Sequence, residues 1–237
     1  MTEYKKWTDF QFAWNKERTE SIKQLVFPFP YREGQKELVT YAYQTIYHRR
    51  NLFLEAPTGV GKTISTVFPS VKAMGEGMAE KLFYLTAKTI TRTVAQDCFK
   101  LLADKGLRMK TVVITAKDKI CPMEETECNP DYCPYAKGHF DRINDAMYEL
   151  LQSEDHFTRD TILEYAQRHN VCPFEMSLDM SLYADAVICD YNYVFDPNVY
   201  LKRFFADGLG AKDYIFLIDE AHNLVERSRE MYSATLR

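Results

Sequence analysis

The sequence lacks the features that would place it in a membrane or a secreted compartment. No stretch approaches the ~18 uninterrupted apolar residues of a membrane-spanning helix, so no membrane span is expected. The N-terminus, Met-Thr-Glu-Tyr-Lys-Lys-Trp, has no apolar core of the kind found in signal peptides. Internal repeats and low-complexity tracts are also missing from the sequence. We therefore expect a cytoplasmic protein with no membrane partner.

A strong excess of one charge is lacking as well. The 237 residues carry a net charge of −4, so the overall charge does not indicate a nucleic-acid-binding protein. Residues 81–119 differ, because they contain nine Lys and Arg residues but only three Asp residues, which gives a local net charge of +6. Taken alone, this run is typical of a solvated helix face. The composition, with 46% hydrophobic and 27% charged residues, is that of one large globular domain or two small ones.

The most informative stretch is residues 51–63, Asn-Leu-Phe-Leu-Glu-Ala-Pro-Thr-Gly-Val-Gly-Lys-Thr. Its apolar start, Leu52–Leu54, predicts a short strand. Gly59 and Gly61 allow the backbone to turn so that its N–H groups point at phosphate oxygens. The N-terminus of the following helix adds partial positive charge. This pattern predicts a phosphate-binding loop, with Ala56 at the position of the usual first glycine.

A second motif lies far downstream and supplies carboxylates. The apolar run 214–218 is followed by Asp219-Glu220-Ala221-His222. Lys62 should reach the β- and γ-phosphates of ATP, while Thr63 and Asp219 should hold Mg²⁺. Glu220 can orient and deprotonate water. The predicted catalytic residues are Lys62, Asp219 and Glu220, and the predicted nucleotide-binding residues of these two motifs are Pro57, Thr58, Gly59, Val60, Gly61, Lys62, Thr63 and Asp219.

Apolar runs alternate with helical patterns along much of the chain. Strands are predicted near residues 52–55, 82–86, 111–115, 185–190 and 214–218. This alternation predicts an α/β fold with a parallel sheet and helices on both faces. The helix that starts at Lys62 is expected to kink or end near Pro69. The predicted segments are a leader (1–30), the first part of the α/β domain (31–116), an insertion (117–183) and the second part of the domain (184–237).

Four of the six cysteines fall in the insertion, at Cys121, Cys128, Cys133 and Cys172. In a reducing compartment such cysteines indicate metal binding before disulfides. Four thiolates suit either tetrahedral zinc or an iron–sulfur cluster. The insertion lacks the paired Cys-x₂-Cys knuckles typical of zinc ribbons, and proline follows three of the four cysteines. This spacing favours a cluster over zinc. Cys98 and Cys189 lie in apolar patterns and are expected to be structural.

Together, these motifs resemble the XPD/DinG family of iron–sulfur DNA helicases. The resemblance covers residues 24–237. It is carried by Tyr31–Gln35, Ala56–Thr63, Leu85–Thr93, the four cysteines, Asp190–Pro197 and Leu217–Asn223. The bacterial branch is closest, through Thr-Ala-Lys-Thr-Ile-Thr-Arg at 86–92, Asp-Tyr-Asn-Tyr-Val-Phe-Asp-Pro at 190–197 and Cys-Pro-Phe-Glu at 172–175.

The family resemblance implies a RecA-like phosphate-loop motor domain, a 4Fe–4S cluster on the four cysteines, and ATP-driven 5′→3′ unwinding in DNA repair or replication. Gln35 matches the residue that reads adenine. The motif that touches the DNA backbone corresponds to Thr86, Lys88 and Thr89, and Arg92 lies on the same basic edge. Single-stranded DNA and duplex junctions are the implied partners. Tyr132, Tyr135 and Phe140 either stack bases or pack the insertion.

One departure limits what the resemblance implies. Such helicases also have a second motor domain, which supplies an arginine finger, and an arch domain, but the sequence ends one helix after His222. We therefore expect the N-terminal motor piece of a longer helicase or a truncated gene product, which binds nucleotide weakly and does not unwind DNA alone. Two alternatives stay open. One is an ATP- and cluster-binding DNA-sensing module without motor activity, and the other is a different phosphate-loop enzyme with structural zinc.

Overall fold

The computed structural model describes residues 3–57, 59–87, 89–206 and 214–233. The chain divides into two compact units. The first contains Met1–Pro28 and Lys100–Val187, and the second contains Phe29–Phe99 and Ile188–Arg237. Among the described residues, no helix is long and apolar enough to cross a membrane.

A five-stranded parallel sheet confirms the predicted α/β fold. Its strands are β1 (Lys81–Thr86), β2 (Thr111–Val113), β3 (His156–Phe157), β4 (Ala186–Asp190) and β5 (Tyr214–Ile218). The strand order is β3-β2-β4-β1-β5. In the second unit β1 pairs in parallel with β5, with Lys81 opposite Tyr214 and Leu85 opposite Ile218. All six residues of β1 are buried, as expected for a strand covered on both faces.

The prediction of a strand at residues 52–55 is wrong. Residues 51–57 are described in full and form no strand. Phe53 is 93% exposed and Leu52 is 42% exposed, so this segment has neither a paired neighbour nor a buried face. An apolar run forms a strand only where it can hydrogen-bond to a neighbouring strand and pack against other side chains. The fifth strand is instead β3, whose two residues are too few for a periodic pattern to reveal.

The second unit contains the following helices, of which one has its last residues, 100–104, in the first unit. They are α2 (Gln35–Tyr47), α3 (Lys62–Gly75), α4 (Thr89–Asp104), α9 (Asn192–Phe195), α10 (Lys202–Phe205) and α11 (Leu224–Met231), with a 3₁₀ turn at Ala221–Asn223. Helix α3 does not end near Pro69 but continues through it. Proline removes one backbone hydrogen bond, but Val67 and Val71 are fully buried, so tertiary packing holds the helix together.

Helices of the first unit include those of the insertion. They are α1 (Glu3–Gln24), α5 (Lys117–Ile120), α6 (His139–Ser153), α7 (Arg159–His169) and α8 (Pro173–Tyr183). Local chemistry sets the ends of α7, because the Thr158 hydroxyl accepts a hydrogen bond from the Thr161 amide at 3.2 Å. At its other end Asn170 adopts the left-handed conformation. Leu150, Ile162 and Met176 are fully buried, so the insertion contributes a core of its own.

A buried lysine lies under helix α1. Lys110 is 2% exposed. Its ammonium donates to the carbonyl oxygens of Leu151 and Glu154, each at 2.6 Å, and to Asp155 Oδ1 at 2.8 Å. It also lies 4.1 Å from the centroid of the Trp14 ring on α1. Burial lowers the pKa of Lys110, while the Asp155 carboxylate opposes that change. The lysine therefore links α1 to the C-terminal end of α6.

Candidate nucleotide site and cysteine cavity

The phosphate loop has the backbone shape that its glycines predict. Gly59 and Gly61 both have left-handed backbone angles, with φ of 85° and 81°. A side chain at Gly61 would also place its Cβ 2.8 Å from Gln35 Nε2. The backbone conformation therefore favours glycine at Gly61, and a side chain there would also displace the Gln35 amide. Thr58, another predicted nucleotide-binding residue, lies outside the described residues.

The loop is held by residues that precede helix α2 or begin it. Gln35 is 3% exposed, and its side-chain amide donates to the Val60 carbonyl at 3.0 Å. The Gln35 side-chain oxygen accepts from the Arg32 amide at 3.1 Å, and the Arg32 guanidinium donates to the Gly59 carbonyl. In this structure Gln35 therefore supports the loop backbone. Its assignment to adenine remains a prediction.

Lys62 is the first residue of α3. Its ammonium donates to the Ala56 carbonyl at 3.1 Å, which closes the loop on itself. A bound phosphate would compete with that carbonyl for the same ammonium. The predicted role of Lys62 is therefore compatible with its place in the loop.

Thr63 and Asp219 meet at one hydroxyl group. The side chains of Thr63 and Asp219 both lie beside the Tyr84 hydroxyl on β1. Two Mg²⁺ ligands must each lie about 2.1 Å from the ion, so they have to converge in this way. Burial raises the pKa of Asp219, and the neighbouring Glu220 carboxylate raises it further. Sequence reasoning missed Tyr84, whose only signal was its place near the end of a buried strand.

A second tyrosine fixes the turn that contains Asp219 and Glu220. Tyr191 is fully buried, and its hydroxyl donates to the Asp219 carbonyl and, at 3.1 Å, to the Glu220 carbonyl. Burial raises the pKa of Tyr191 to about 12, so the hydroxyl keeps its proton at neutral pH. Glu220 has a left-handed φ of 51°, and its side chain is 43% exposed. The turn therefore presents the Glu220 carboxylate to solvent while its backbone is fixed.

The predicted DNA-contacting residues are described only in part. Thr86 is fully buried at the end of β1, so its hydroxyl would have to become exposed to reach a phosphate. Lys88 lies outside the described residues, as does the side chain of Thr89. Arg92 on α4 is half-buried, and its Nε has no hydrogen-bond partner among the described residues. Of the four residues, Arg92 is the one whose described side chain is partly exposed.

The four insertion cysteines line one cavity of about 260 Å³ in the first unit. Cys121 follows α5, and Cys172 immediately precedes α8. Cys98 and Cys189 do not line this cavity but are buried in α4 and β4, and their structural role stays a prediction. Burial raises the pKa of Cys98 to about 12 and also raises that of Cys189. The cysteines that share the cavity are therefore those predicted to bind a metal centre.

The donor chemistry and the size of the cavity indicate which group would fit. Tetrahedral zinc with bonds of 2.3 Å would draw its sulfurs to about 3.8 Å from one another. A cluster separates its thiolate ligands by several iron and sulfide atoms. Within residues 3–57, 59–87, 89–206 and 214–233, no three His, Cys, Asp or Glu residues are close enough to hold a single metal ion. Thiolates are the ligands that an iron–sulfur cluster takes, so the four cysteines that line this cavity fit such a group.

A histidine that sequence reasoning missed also lines the cavity. His139 is 4% exposed, and its Nδ1 accepts from the Cys172 amide at 3.1 Å. Burial lowers the pKa of His139, so its ring is neutral near pH 7. Tyr135 and Phe140 both line the cavity, although Phe140 is 86% exposed, and Tyr132 is 68% exposed. Most of the Tyr132 and Phe140 side chains is therefore not covered by packing.

Two family models match the chain, and each covers half of it or more. The model described as DEAD/DEAH box helicase matches residues 34–152, and the one described as DEAD_2 matches residues 100–237. Both include parts of the nucleotide site or the cysteine cavity described above.

Similar proteins carry helicase names. The Regulator of telomere elongation helicase 1 homolog of Caenorhabditis briggsae is 24% identical, over 94% of this chain and 26% of its own length. A Methanocaldococcus jannaschii protein named "Probable ATP-dependent helicase MJ0942" is 28% identical, over 84% of this chain and 29% of its own. A solved structure titled XPD_Helicase matches with a TM-score of 0.56 and 21% identity, over 82% of this chain and 33% of that one. The chain thus spans about a quarter of the length of the curated relatives it matches.

Proposed function

Because this chain belongs to the DEAD/DEAH box helicase family, we propose that it is the ATP-binding motor portion of an ATP-dependent DNA helicase of the XPD/DinG type. The observation that carries the proposal is the position of Thr63 and Asp219 beside the same Tyr84 hydroxyl. A helix N-terminus, a lysine and two carboxylates around one point are what nucleoside-triphosphate hydrolysis requires.

The residues of this site have distinct roles in the proposal. Backbone N–H groups from Gly59 to Thr63 cradle the phosphates, and the Lys62 ammonium exchanges the Ala56 carbonyl for a phosphate oxygen. Thr63 and Asp219 would hold Mg²⁺, which offsets charge on the phosphates. Glu220, half-exposed at the turn, accepts the proton of the attacking water.

The cysteine cavity supports assignment to the iron–sulfur branch of these helicases. Cys121, Cys128, Cys133 and Cys172 would hold a 4Fe–4S cluster, which would supply covalent cross-links between the long loop after α5 and the start of α8. The bacterial branch, the 5′→3′ polarity and a role in repair or replication follow from the family resemblance alone. The cluster ligands and the boundaries of the four segments remain part of the proposal.

Single-stranded DNA is the proposed substrate of the motor. The partly exposed Arg92 is available for a backbone phosphate. Phe140 and Tyr132 project from the insertion into solvent, where aromatic rings can stack bases and contribute about 1–3 kcal/mol for each base. This surface tolerates many sequences, because stacking and phosphate contacts do not read base edges.

The Glu220→Gln variant tests the proposed reaction. With protein in excess over radiolabelled ATP, we expect slow hydrolysis by the wild type that single-stranded DNA accelerates. Glutamine cannot accept the water proton, so the variant should still bind ATP but hydrolyse it more slowly. General-base catalysis contributes about 10²–10⁴-fold, so we expect the rate of hydrolysis to fall at least 100-fold. Glu230→Gln on exposed α11 is the matched control.

Equal hydrolysis by the wild type and Glu220→Gln would show that Glu220 is not the base. Hydrolysis or binding of ATP that does not respond to DNA would instead support a phosphate-loop enzyme outside the helicases. Binding of both ATP and DNA without any turnover would favour a sensing module.

A further inference from the structure

A buried histidine has one ring nitrogen engaged and the other without a partner. His139 begins helix α6 and lines the cavity of the four cysteines. Its Nδ1 lies 3.1 Å from the backbone nitrogen of Cys172. Its Nε2 is buried and has no hydrogen-bond partner among the residues that the structure describes. A buried polar atom without a partner is uncommon and calls for a ligand or a water.

The hydrogen bond from Cys172 fixes the tautomer of the ring. A backbone amide can only donate, so Nδ1 must accept and carries no hydrogen. A neutral imidazole has one N–H group, which is then on Nε2. The buried, partnerless nitrogen is therefore a donor that needs an acceptor. Nε2 therefore has no lone pair available to bind a metal. Metal binding through Nε2 would move the hydrogen to Nδ1, where it would point at the N–H group of Cys172.

We propose that His139 is a positioning residue for a cluster in the cysteine cavity, donating a hydrogen bond from Nε2–H to a sulfur atom there while its Nδ1 holds the Cys172 backbone. The inference rests on the proposed iron–sulfur assignment and adds a residue that the cysteine pattern does not contain. Sulfur atoms that bridge or ligate iron carry negative charge and accept such bonds. Hydrogen bonds to these sulfurs raise the reduction potential, because the reduced cluster is more negative and gains more from the donor.

Two substitutions separate the two functions of the ring. In His139→Asn, the short amide can place its oxygen where Nδ1 accepts from Cys172, but no donor reaches the position of Nε2. In His139→Gln, the longer amide can place an N–H near the position of Nε2, but the acceptor for Cys172 is lost. His169→Asn is the control, since His169 lies on α7 and pairs with Glu149.

The readouts are iron content and reduction potential. Each protein is reconstituted anaerobically with iron and sulfide, and about four irons per chain are expected for the wild type. A redox titration followed by electron paramagnetic resonance should give a lower potential for His139→Asn than for the wild type. The potentials of His139→Gln and His169→Asn should stay near the wild-type value.

The outcomes distinguish this inference from the proposal on which it rests. Iron in the wild type with an unchanged potential in His139→Asn would overturn the role of His139 and leave the cluster assignment intact. A wild type that binds zinc and no iron would overturn both. If only His139→Asn fails to retain iron, the reduction potential of His139→Gln decides the outcome. A wild-type potential supports the hydrogen bond donated by Nε2–H, and a lowered potential contradicts it. Loss of iron from both variants but not from His169→Asn would contradict the hydrogen-bond role and indicate ligation or folding.

Discussion

Tyr84 and Tyr191 place their hydroxyl groups beside Asp219 at the carboxyl end of the proposed nucleotide site. Sequence motifs reveal Lys62, Thr63 and Asp219 because phosphate and Mg²⁺ chemistry demands those residue types at fixed positions. The same reasoning does not reveal Tyr84 or Tyr191, whose roles depend on which strands become neighbours. His139 escapes prediction for the same reason, since 33 residues separate it from Cys172.

Tyr84→Phe tests whether the shared hydroxyl orients the Mg²⁺ ligands. The change keeps the ring buried in β1 and removes the hydroxyl that lies beside Thr63 and Asp219. Partners of metal ligands affect metal affinity by about 10–100-fold, so we expect ATP binding to require roughly tenfold more Mg²⁺. Titration of Mg²⁺ at fixed ATP measures this requirement.

A matched control is Tyr232→Phe, which removes an exposed hydroxyl that donates to the Phe195 carbonyl. The control should leave the Mg²⁺ requirement unchanged. If Tyr84→Phe also leaves it unchanged, the hydroxyl does not orient the ligands and Tyr84 contributes packing alone.

Helix α1 shows how an element can depend on one buried side chain. The sequence predicts a leader over residues 1–30, and in the structure Glu3–Gln24 of this leader form a 22-residue helix within the first unit. Lys110 lies under this helix and donates to carbonyls at the end of α6. No local pattern around Lys110 predicts its burial, because its partners come from residues 14 and 151–155.

Lys110→Met tests the contribution of this lysine to stability. Methionine fills similar space but leaves two carbonyls without a donor and the Asp155 carboxylate without one of its partners. Hydrogen bonds to charged groups contribute about 1.5–3 kcal/mol, so we expect the free energy of unfolding to fall by about 2 kcal/mol. Urea denaturation measures the change.

Lys105→Met is the control for the loss of a surface charge. Lys105 is exposed in the turn after α4, and its replacement should change stability by less than about 0.5 kcal/mol. Equal stability of Lys110→Met and the wild type would mean that the buried ammonium offers no net stabilisation over a hydrophobic side chain.

At the scale of the whole molecule, alternating apolar runs predict the parallel sheet because strands buried on both faces read as continuous apolar stretches. Strand β1 fits this description, and so its prediction is confirmed. The run at residues 52–54 looks the same in sequence but is largely exposed, so the pattern alone cannot distinguish the two. The spacing of the cysteines likewise does not predict their positions in space. The fold brings Cys172 to the cavity that Cys121, Cys128 and Cys133 also line.

Binding of Mg·ATP to this chain is the most direct test of the central claim that residues 56–63 and 219–220 form a nucleotide site. Calorimetric titration should detect binding by the wild type and by Lys36→Ala, which removes an exposed lysine on α2. Lys62→Ala should abolish detectable binding, because it removes the cation proposed to bind the β- and γ-phosphates. Equal affinity of Lys62→Ala and the wild type for Mg·ATP would contradict the account.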